Sequence, residues 1–228
     1  MKSTAFSLTS VAALAVVIGL PLATHAQSAT PPNVPSDFST VFVVNANQST
    51  ALSLLLGNAP GRAHSDRAHS DRAHPGQEKG NLYEDFTNNR MRIDFLAPDG
   101  SPAQTYWFFY DKRRYFTLDY ETRACTVTTG FDATMPPFFG WVADAVQTPE
   151  TSQTLLLGDQ SPVTITHWKY TPPEDSGIRW LDLGVATSTP VSLQLQPLHG
   201  PPLRVGFEIF NSGAPDASVF DLPEVCVE

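Results

Sequence analysis

The stretch RRYFTLDYETRAC, Arg113–Cys125, decides the fold that we expect for this chain. Its first half alternates in polarity, which is typical of a β-strand with Phe116, Leu118 and Tyr120 on one face. A polar corner follows, and the stretch ends at the first of two cysteines. The other is Cys226, near the end of the sequence. Two cysteines can form one disulfide, and we expect it to tie this strand to the tail.

Apolar and polar residues alternate with a period of two in several further segments of the chain. Met91, Ile93 and Phe95 alternate with charged residues, and Tyr106–Tyr110 is apolar on both faces. The latter pattern is typical of a central strand or of one that lines an internal cavity. Further alternating runs are Val163–Trp168, Val191–Gln196 and Leu203–Ile209. No amphipathic helix of convincing length interrupts them, so we predict a mainly β protein of extended antiparallel sheets.

The composition restricts the class of protein. Charged residues make up 16% of the 228 residues, and the formal net charge is -9. Nucleic-acid binding needs clustered Lys and Arg, so we expect no nucleic-acid partner. The 20 prolines and 14 glycines favour short strands and turns over long helices. The two cysteines are too few for a structural zinc site.

Residues 1–26 have the pattern of a secretory signal peptide. A basic residue precedes an apolar run at 11–22, and Ala26 stands among small residues at a cleavage position. The run is shorter than the roughly 20 residues that a membrane-spanning helix needs, so we expect no transmembrane segment. A proline-containing extended leader follows at 27–37. We therefore predict a secreted, extracellular protein.

Two apolar runs, Phe38–Val44 and Ala51–Leu56, open the predicted β domain at 38–228 and have the length of strands. Between them lies Asn47-Gln48-Ser49, the one N-glycosylation sequon of the chain. We predict a hairpin whose tip carries this sequon, with a glycan attached to Asn47 in the secretory pathway.

Residues 61–80 contain the repeat RAHSD, at 62–66 and again at 67–71, broken off after His74. His and Asp are metal ligands, and a hydrolytic His/Ser/Asp site is a second interpretation. A site needs side chains held by packed neighbours, and the repeat has no apolar residue larger than alanine. We therefore predict a flexible loop at 61–80 and name no metal ligands. For His167, alone within a later strand, we predict a packed or hydrogen-bonded histidine.

Four blocks of the sequence resemble the ependymins and ependymin-related proteins. The first two are an acidic-aromatic start with N-x-R-x-R at Tyr83–Arg92 and a tyrosine, L-D-x-x-T and cysteine at Tyr115–Cys125. The third comprises Phe131–Pro137, Leu157-Gly158 and Val163–Trp168. The fourth comprises Thr189–Ser192, Phe210-Asn211 and the F-x-x-P-x-x-C tail at Phe220–Cys226. Their order and spacing over about residues 36–228 carry the resemblance, rather than any single block.

The resemblance implies two stacked antiparallel sheets, similar to bacterial lipoprotein carriers, curved around a deep apolar pocket. It also implies a secreted glycoprotein, often dimeric, that binds lipids or other hydrophobic ligands and is linked to calcium and cell-matrix adhesion. No enzymatic activity is implied. The family pattern has two further cysteines, one near the mature N-terminus and one before the P-V element, and this chain lacks both. One disulfide, Cys125–Cys226, would remain.

The aromatic residues favour a ligand pocket, because pockets for apolar ligands are lined by such side chains and few polar groups. The candidate lining residues are Tyr106, Trp107, Phe108, Phe109, Tyr110, Phe116, Leu118, Phe138, Phe139, Trp141 and Trp168. An alternative interpretation is that these side chains simply fill a sandwich core. We predict a non-catalytic protein that binds a lipid or fatty acid and requires no cofactor.

A second function remains open, namely calcium-dependent extracellular adhesion through the sheet exterior, the Asn47 glycan or acidic loops. Such loops lie at Glu174-Asp175 and around Asp216 and Asp221, and carboxylates are ligands that calcium prefers. A hydrolase is disfavoured, because the chain has no Gly-x-Ser-x-Gly motif and no zinc-binding histidine pair.

Overall fold

The computed structural model describes residues 29–56, 77–130, 134–153, 162–173, 177–197 and 202–227. The strands in these residues are β1 Asp37–Val44, β2 Glu78–Asp85, β3 Arg90–Leu96, β4 Pro102–Phe109, β5 Arg114–Asp119, β6 Ala124–Thr129, β7 Val146–Gln153, β8 Thr164–Tyr170, β9 Ile178–Gly184, β10 Pro190–Gln196 and β11 Leu203–Ser212. One α-helix, α1, spans Gln48–Leu55. Short 3₁₀ helices lie at Phe86–Asn88, Gly140–Asp144, Ala217–Phe220 and Glu224–Cys226.

All eleven of these strands belong to one sheet, in the order β6-β5-β4-β3-β2-β1-β11-β10-β9-β8-β7. Neighbouring strands are antiparallel throughout. The predicted mainly β, antiparallel class is confirmed. The two predicted sheets are one continuous sheet, because β1 pairs with both β2 and β11 and so joins the two halves.

The inner face of the sheet holds the main core. A sheet this wide curls, since the twist between neighbouring strands accumulates. Phe38, Phe42 and Val44 of β1 alternate along the strand and are all 0% exposed. Leu82 of β2 and Val205 of β11 are registered with β1 residues of the same face. Residues from β3, β4, β8, β9 and β10 join them in one cluster, so this core extends across both halves of the sheet.

The C-terminal segment, defined as the residues after β11 (213–227), covers the outer face of the sheet at β4 to β6. There it completes a second buried cluster, which comprises Trp107, Phe109, Phe116, Leu118, Cys125, Leu222 and Cys226. The predicted disulfide between Cys125 and Cys226 is confirmed, with the two Cα atoms 5.3 Å apart. The bridge joins edge strand β6 to the last 3₁₀ helix.

The predicted strand at Ala51–Leu56 is wrong, because residues up to Leu55 belong to α1. Oδ1 of Asn47 accepts a hydrogen bond from the Thr50 N–H at 2.9 Å and so caps the first turn. Leucine and alanine dominate this run and have high helix propensity, whereas strands favour β-branched and aromatic residues. The sequon therefore lies at the start of a helix, with Asn47 as the capping residue and Gln48 and Ser49 in the first turn, and does not lie at a hairpin tip.

The predicted loop at 61–80 ends earlier than expected, because residues 78–80 belong to β2 and pair with β1. The repeat itself lies outside the described residues, as does the predicted signal peptide at 1–26. Residues 29–36 of the predicted leader contain neither helix nor strand. Among the described residues, no helix combines the length and the apolar character needed to cross a membrane.

Candidate functional site

The structure divides the eleven predicted pocket residues between the two faces of the sheet. Seven belong to the inner core or pack against it: Tyr106, Phe108, Tyr110, Phe138, Phe139, Trp141 and Trp168. The other four belong to the outer cluster: Trp107, Phe109, Phe116 and Leu118. The division follows from β4, because successive side chains of a strand point to opposite faces. One pocket cannot include both groups, and the candidate site is the inner face.

Five phenylalanines meet on the inner face beside the pairing of β1 with β11. The ring centroid of Phe38 lies 5.9 Å from that of Phe138, 5.4 Å from Phe139 and 4.9 Å from Phe210. Phe139 also lies 6.0 Å from Phe207. At these separations aromatic rings attract one another. Three of the five, Phe38, Phe207 and Phe210, are not among the predicted pocket residues, because periodicity shows which side chains share a face but not which strands pair.

A buried carboxyl group lies beside these rings. Glu84 of β2 is registered with Phe38 of β1 and Met91 of β3, and it is 0% exposed. Its Oε1 accepts a hydrogen bond from the Phe138 N–H at 3.0 Å, whereas Oε2 has no hydrogen-bond partner among the described residues. Burial raises the pKa of Glu84 to about 8; the Phe138 N–H opposes this effect and the charge on Asp37 adds to it. At pH 7 the group is mainly neutral, and its Oε2–H is an unused donor.

A cover segment, defined here as Met135–Asp144, crosses the inner face and ends in a 3₁₀ helix. Its Trp141 ring lies 5.9 Å from Tyr170 of β8, so the segment reaches the far half of the sheet. In the described part of the chain, its one hydrogen bond to a strand is that from the Phe138 N–H to Glu84. Apolar contacts therefore provide most of what holds the cover segment in place.

A polar network connects α1 with the same face. Oε1 of Gln104 accepts hydrogen bonds from Nε2 of Gln48 at 2.6 Å and from the hydroxyl of Tyr106 at 2.9 Å. Burial raises the pKa of Tyr106 to about 12, so the phenol stays protonated and remains a donor. The predicted pocket residue Tyr106 thus helps to position the helix over the sheet.

A serine, a histidine and an aspartate meet on the outer face of β8, β9 and β10. Nδ1 of His167 lies 2.6 Å from Oδ1 of Asp182, and the hydroxyl of Ser192 donates to Oδ2 of the same carboxylate. In a hydrolytic relay the histidine lies between the serine and the aspartate, whereas here the aspartate holds the middle position. This arrangement confirms that His167 is a hydrogen-bonded histidine. The order of the three groups described here, Ser192, Asp182 and His167, is not that of a serine relay.

The described residues contain no group of three or more His, Cys, Asp or Glu side chains that could hold a metal ion. Asp216 instead caps the 3₁₀ helix at Ala217–Phe220, where its Oδ1 accepts the Ser218 N–H at 2.8 Å. Glu174 and Asp175 lie outside the described residues, so the calcium prediction stays open there. Asn47 is exposed at the start of α1, a position accessible to a glycan.

No protein-family model and no curated protein matches this chain. A similar solved structure is that of an uncharacterized conserved protein from Thermus thermophilus, with a TM-score of 0.44 and 9% identity over 84% of this chain and 86% of that one. A chain of the Pseudomonas aeruginosa MucA/MucB complex gives 0.40 and 17%, over 83% and 56%. An outer membrane lipoprotein-sorting protein domain from Vibrio parahaemolyticus gives 0.31 and 5%, over 81% and 89%. Similarities this distant assign no function.

Proposed function

We propose that this protein binds a hydrophobic ligand, a lipid or a fatty acid, between the inner face of its sheet and the cover segment. The observation that carries the proposal is an aromatic inner face closed by a segment with one described hydrogen bond to the strands. A cover of this kind can separate without breaking any strand pairing, so its opening costs less than unfolding of the sheet. The binding is non-catalytic.

We further propose that the protein acts outside the cytoplasm. The Cys125–Cys226 disulfide supports this, because disulfides persist in oxidising compartments and are rare in the cytosol. The signal peptide predicted at 1–26 agrees with the same location. Membership of the ependymin family, a homodimer, calcium-dependent matrix adhesion and a glycan at Asn47 stay predictions.

Native mass spectrometry of the full secreted chain, purified without detergent, tests the binding function. We expect a mass excess that denaturation releases as a lipid or fatty acid. The delipidated protein should then bind cis-parinaric acid, whose fluorescence rises when it leaves water. If the protein carries no lipid and takes up neither cis-parinaric acid nor phospholipid, the proposal fails.

Two phenylalanine variants locate the site on one face. Phe138→Ala removes a ring that packs against the core on the inner face of the sheet. Phe109→Ala removes a ring that packs in the buried cluster on the outer face. Loss of apolar contact area weakens binding only on the face that holds the ligand. We expect Phe138→Ala to weaken cis-parinaric acid binding several-fold and Phe109→Ala to leave it unchanged. Equal effects of the two variants would show that the probe does not occupy the inner face.

A further inference from the structure

We propose that Glu84 is the polar contact of the inner-face site, and that it selects acyl chains ending in an uncharged carbonyl oxygen, such as an ester or a protonated fatty acid. This inference rests on the proposed function and names the ligand class for the same site. Its basis is geometric. Glu84 lies between Phe38 and Met91 on a buried apolar face, and its Oε2 has no hydrogen-bond partner among the described residues.

The hydrogen bonding of Glu84 decides which chemical group fits. Oε1 already accepts the Phe138 N–H, so the proton of the neutral acid belongs on Oε2, which offers one donor. A buried donor without an acceptor is unfavourable, and a ligand that brings an acceptor removes this cost. A hydrocarbon brings none, and an ammonium group brings only further donors. A carbonyl oxygen supplies the missing acceptor without carrying charge into an apolar site.

The surroundings of Glu84 favour an uncharged Glu84 carboxyl group and an uncharged ligand. The elements packed against it present Phe38 from β1, Met91 from β3 and Phe138 from the cover segment, and none of these side chains titrates. On the opposite face, Asp85 and Arg90 pair with each other at 2.7 Å. Asp37 is the charged group whose field reaches Glu84, and its negative charge opposes a second carboxylate nearby. An ionised fatty acid would meet the same repulsion.

The test uses the methyl ester of cis-parinaric acid, because this probe carries a carbonyl oxygen and no titratable group. Binding to the full delipidated chain is measured by fluorescence at pH 7 and at pH 9.5, for the wild type and three variants. Glu84→Gln gives a side chain of the same volume that is uncharged and has both an acceptor and a donor. Glu84→Met gives an apolar side chain that has no donor. Glu208→Gln changes a glutamate that pairs with Lys79 on the outer face and serves as the matched control.

We expect the wild type and Glu208→Gln to bind the ester about 5- to 10-fold more weakly at pH 9.5 than at pH 7, the range of one hydrogen bond. Glu84→Gln should bind equally at both pH values. Glu84→Met should bind about 5- to 10-fold more weakly than the wild type at pH 7. If Glu84→Met does not fold, the pH profiles of the wild type and Glu84→Gln decide.

The outcomes separate the two proposals. If the wild-type protein binds neither the ester nor cis-parinaric acid at either pH, the proposed function itself is contradicted at this site. If it binds the acid but not the ester, the function stands and the inference alone fails. If the wild type binds with no change between pH 7 and pH 9.5, or if Glu84→Gln keeps the pH dependence, Glu84 is not the contact and the inference alone fails. Wild-type affinity of Glu84→Met at pH 7 would overturn it as well.

Discussion

At the scale of single residues, Glu84 makes the stability of the protein depend on pH. Its pKa is about 8 in the folded protein and 4.5 without the fold. Between these values the folded state holds a proton that the unfolded chain has released. The free energy of unfolding therefore falls as pH rises through this window, and below pH 4.5 the contribution is fully present. Neutralising the side chain permanently should remove this dependence.

We predict that Glu84→Gln gains stability over the wild type as pH rises from 5 to 8, by up to about 1.4 kcal/mol per pH unit. Urea denaturation at several pH values measures this difference, with Glu208→Gln as the control on the outer face. A difference between Glu84→Gln and the wild type that stays constant across the window would show that Glu84 is ionised in the fold.

The role of Glu84 could not be predicted from the sequence. Alternation places Glu84 on the same face as Leu82, but a glutamate in an alternating strand usually marks the solvent side. In the fold its carboxyl group accepts a hydrogen bond from the Phe138 N–H, which lies 54 positions further along the chain. The aromatic character of the site was readable from the residues. The polar group within it depends on contacts between distant segments, which local patterns do not encode.

At the scale of the elements, α1 shows how one capping residue changes the structure of an apolar run. Ala51–Leu56 has the length of a strand, and strand length guided the wrong prediction. The carboxamide of Asn47 accepts the Thr50 N–H and provides a start that favours the helix. The strands β3 and β5 were predicted correctly. In both, apolar and polar residues alternate with a period of two, which is the period at which a strand turns its side chains toward one buried face.

Two variants separate the cap from the sequon. Asn47→Ala removes both, whereas Ser49→Ala removes the sequon and keeps the Asn47–Thr50 hydrogen bond. In unglycosylated protein we expect Asn47→Ala to lower the free energy of unfolding by about 1 kcal/mol and Ser49→Ala by clearly less. Urea denaturation measures both, and the intact mass from a glycosylating host reports the glycan. Equal destabilisation by the two variants would contradict the capping role.

At the scale of the whole molecule, long-range pairing organises the fold. β1 lies at the centre of the sheet order and joins a half built from β2 to β6 with a half built from β7 to β11. Within each half, strands that follow one another in the sequence are paired, and alternation predicts part of each half. The pairing of β1 with β11 connects strands about 170 positions apart, as Thr40 and Ile209 show. No local pattern specifies that pairing, so alternation alone could not show that the strands form one sheet. The expectation of two stacked sheets came from the family resemblance.

The C-terminal segment is held to this sheet by the disulfide and by two arginines. The guanidinium of Arg90 lies 4.2 Å from the centre of the Phe220 ring, and Arg92 donates to the Val219 carbonyl oxygen at 2.6 Å. The arginine contacts are non-covalent and act in the folded state. The disulfide, with its sequence separation of 101, mainly restricts the unfolded chain. These two contributions can be measured separately.

We predict that the double variant Cys125→Ala/Cys226→Ala loses about 2–5 kcal/mol in the free energy of unfolding, as expected for a loop of this length. Its native tryptophan emission should stay that of the wild type, because the arginine contacts keep the C-terminal segment over Trp107, which is 2% exposed. A chain that ends at Gly213 lacks this segment and should show red-shifted emission. If the double variant has the emission of the shortened chain, the arginine contacts do not hold the segment, and the disulfide alone keeps the outer cluster closed.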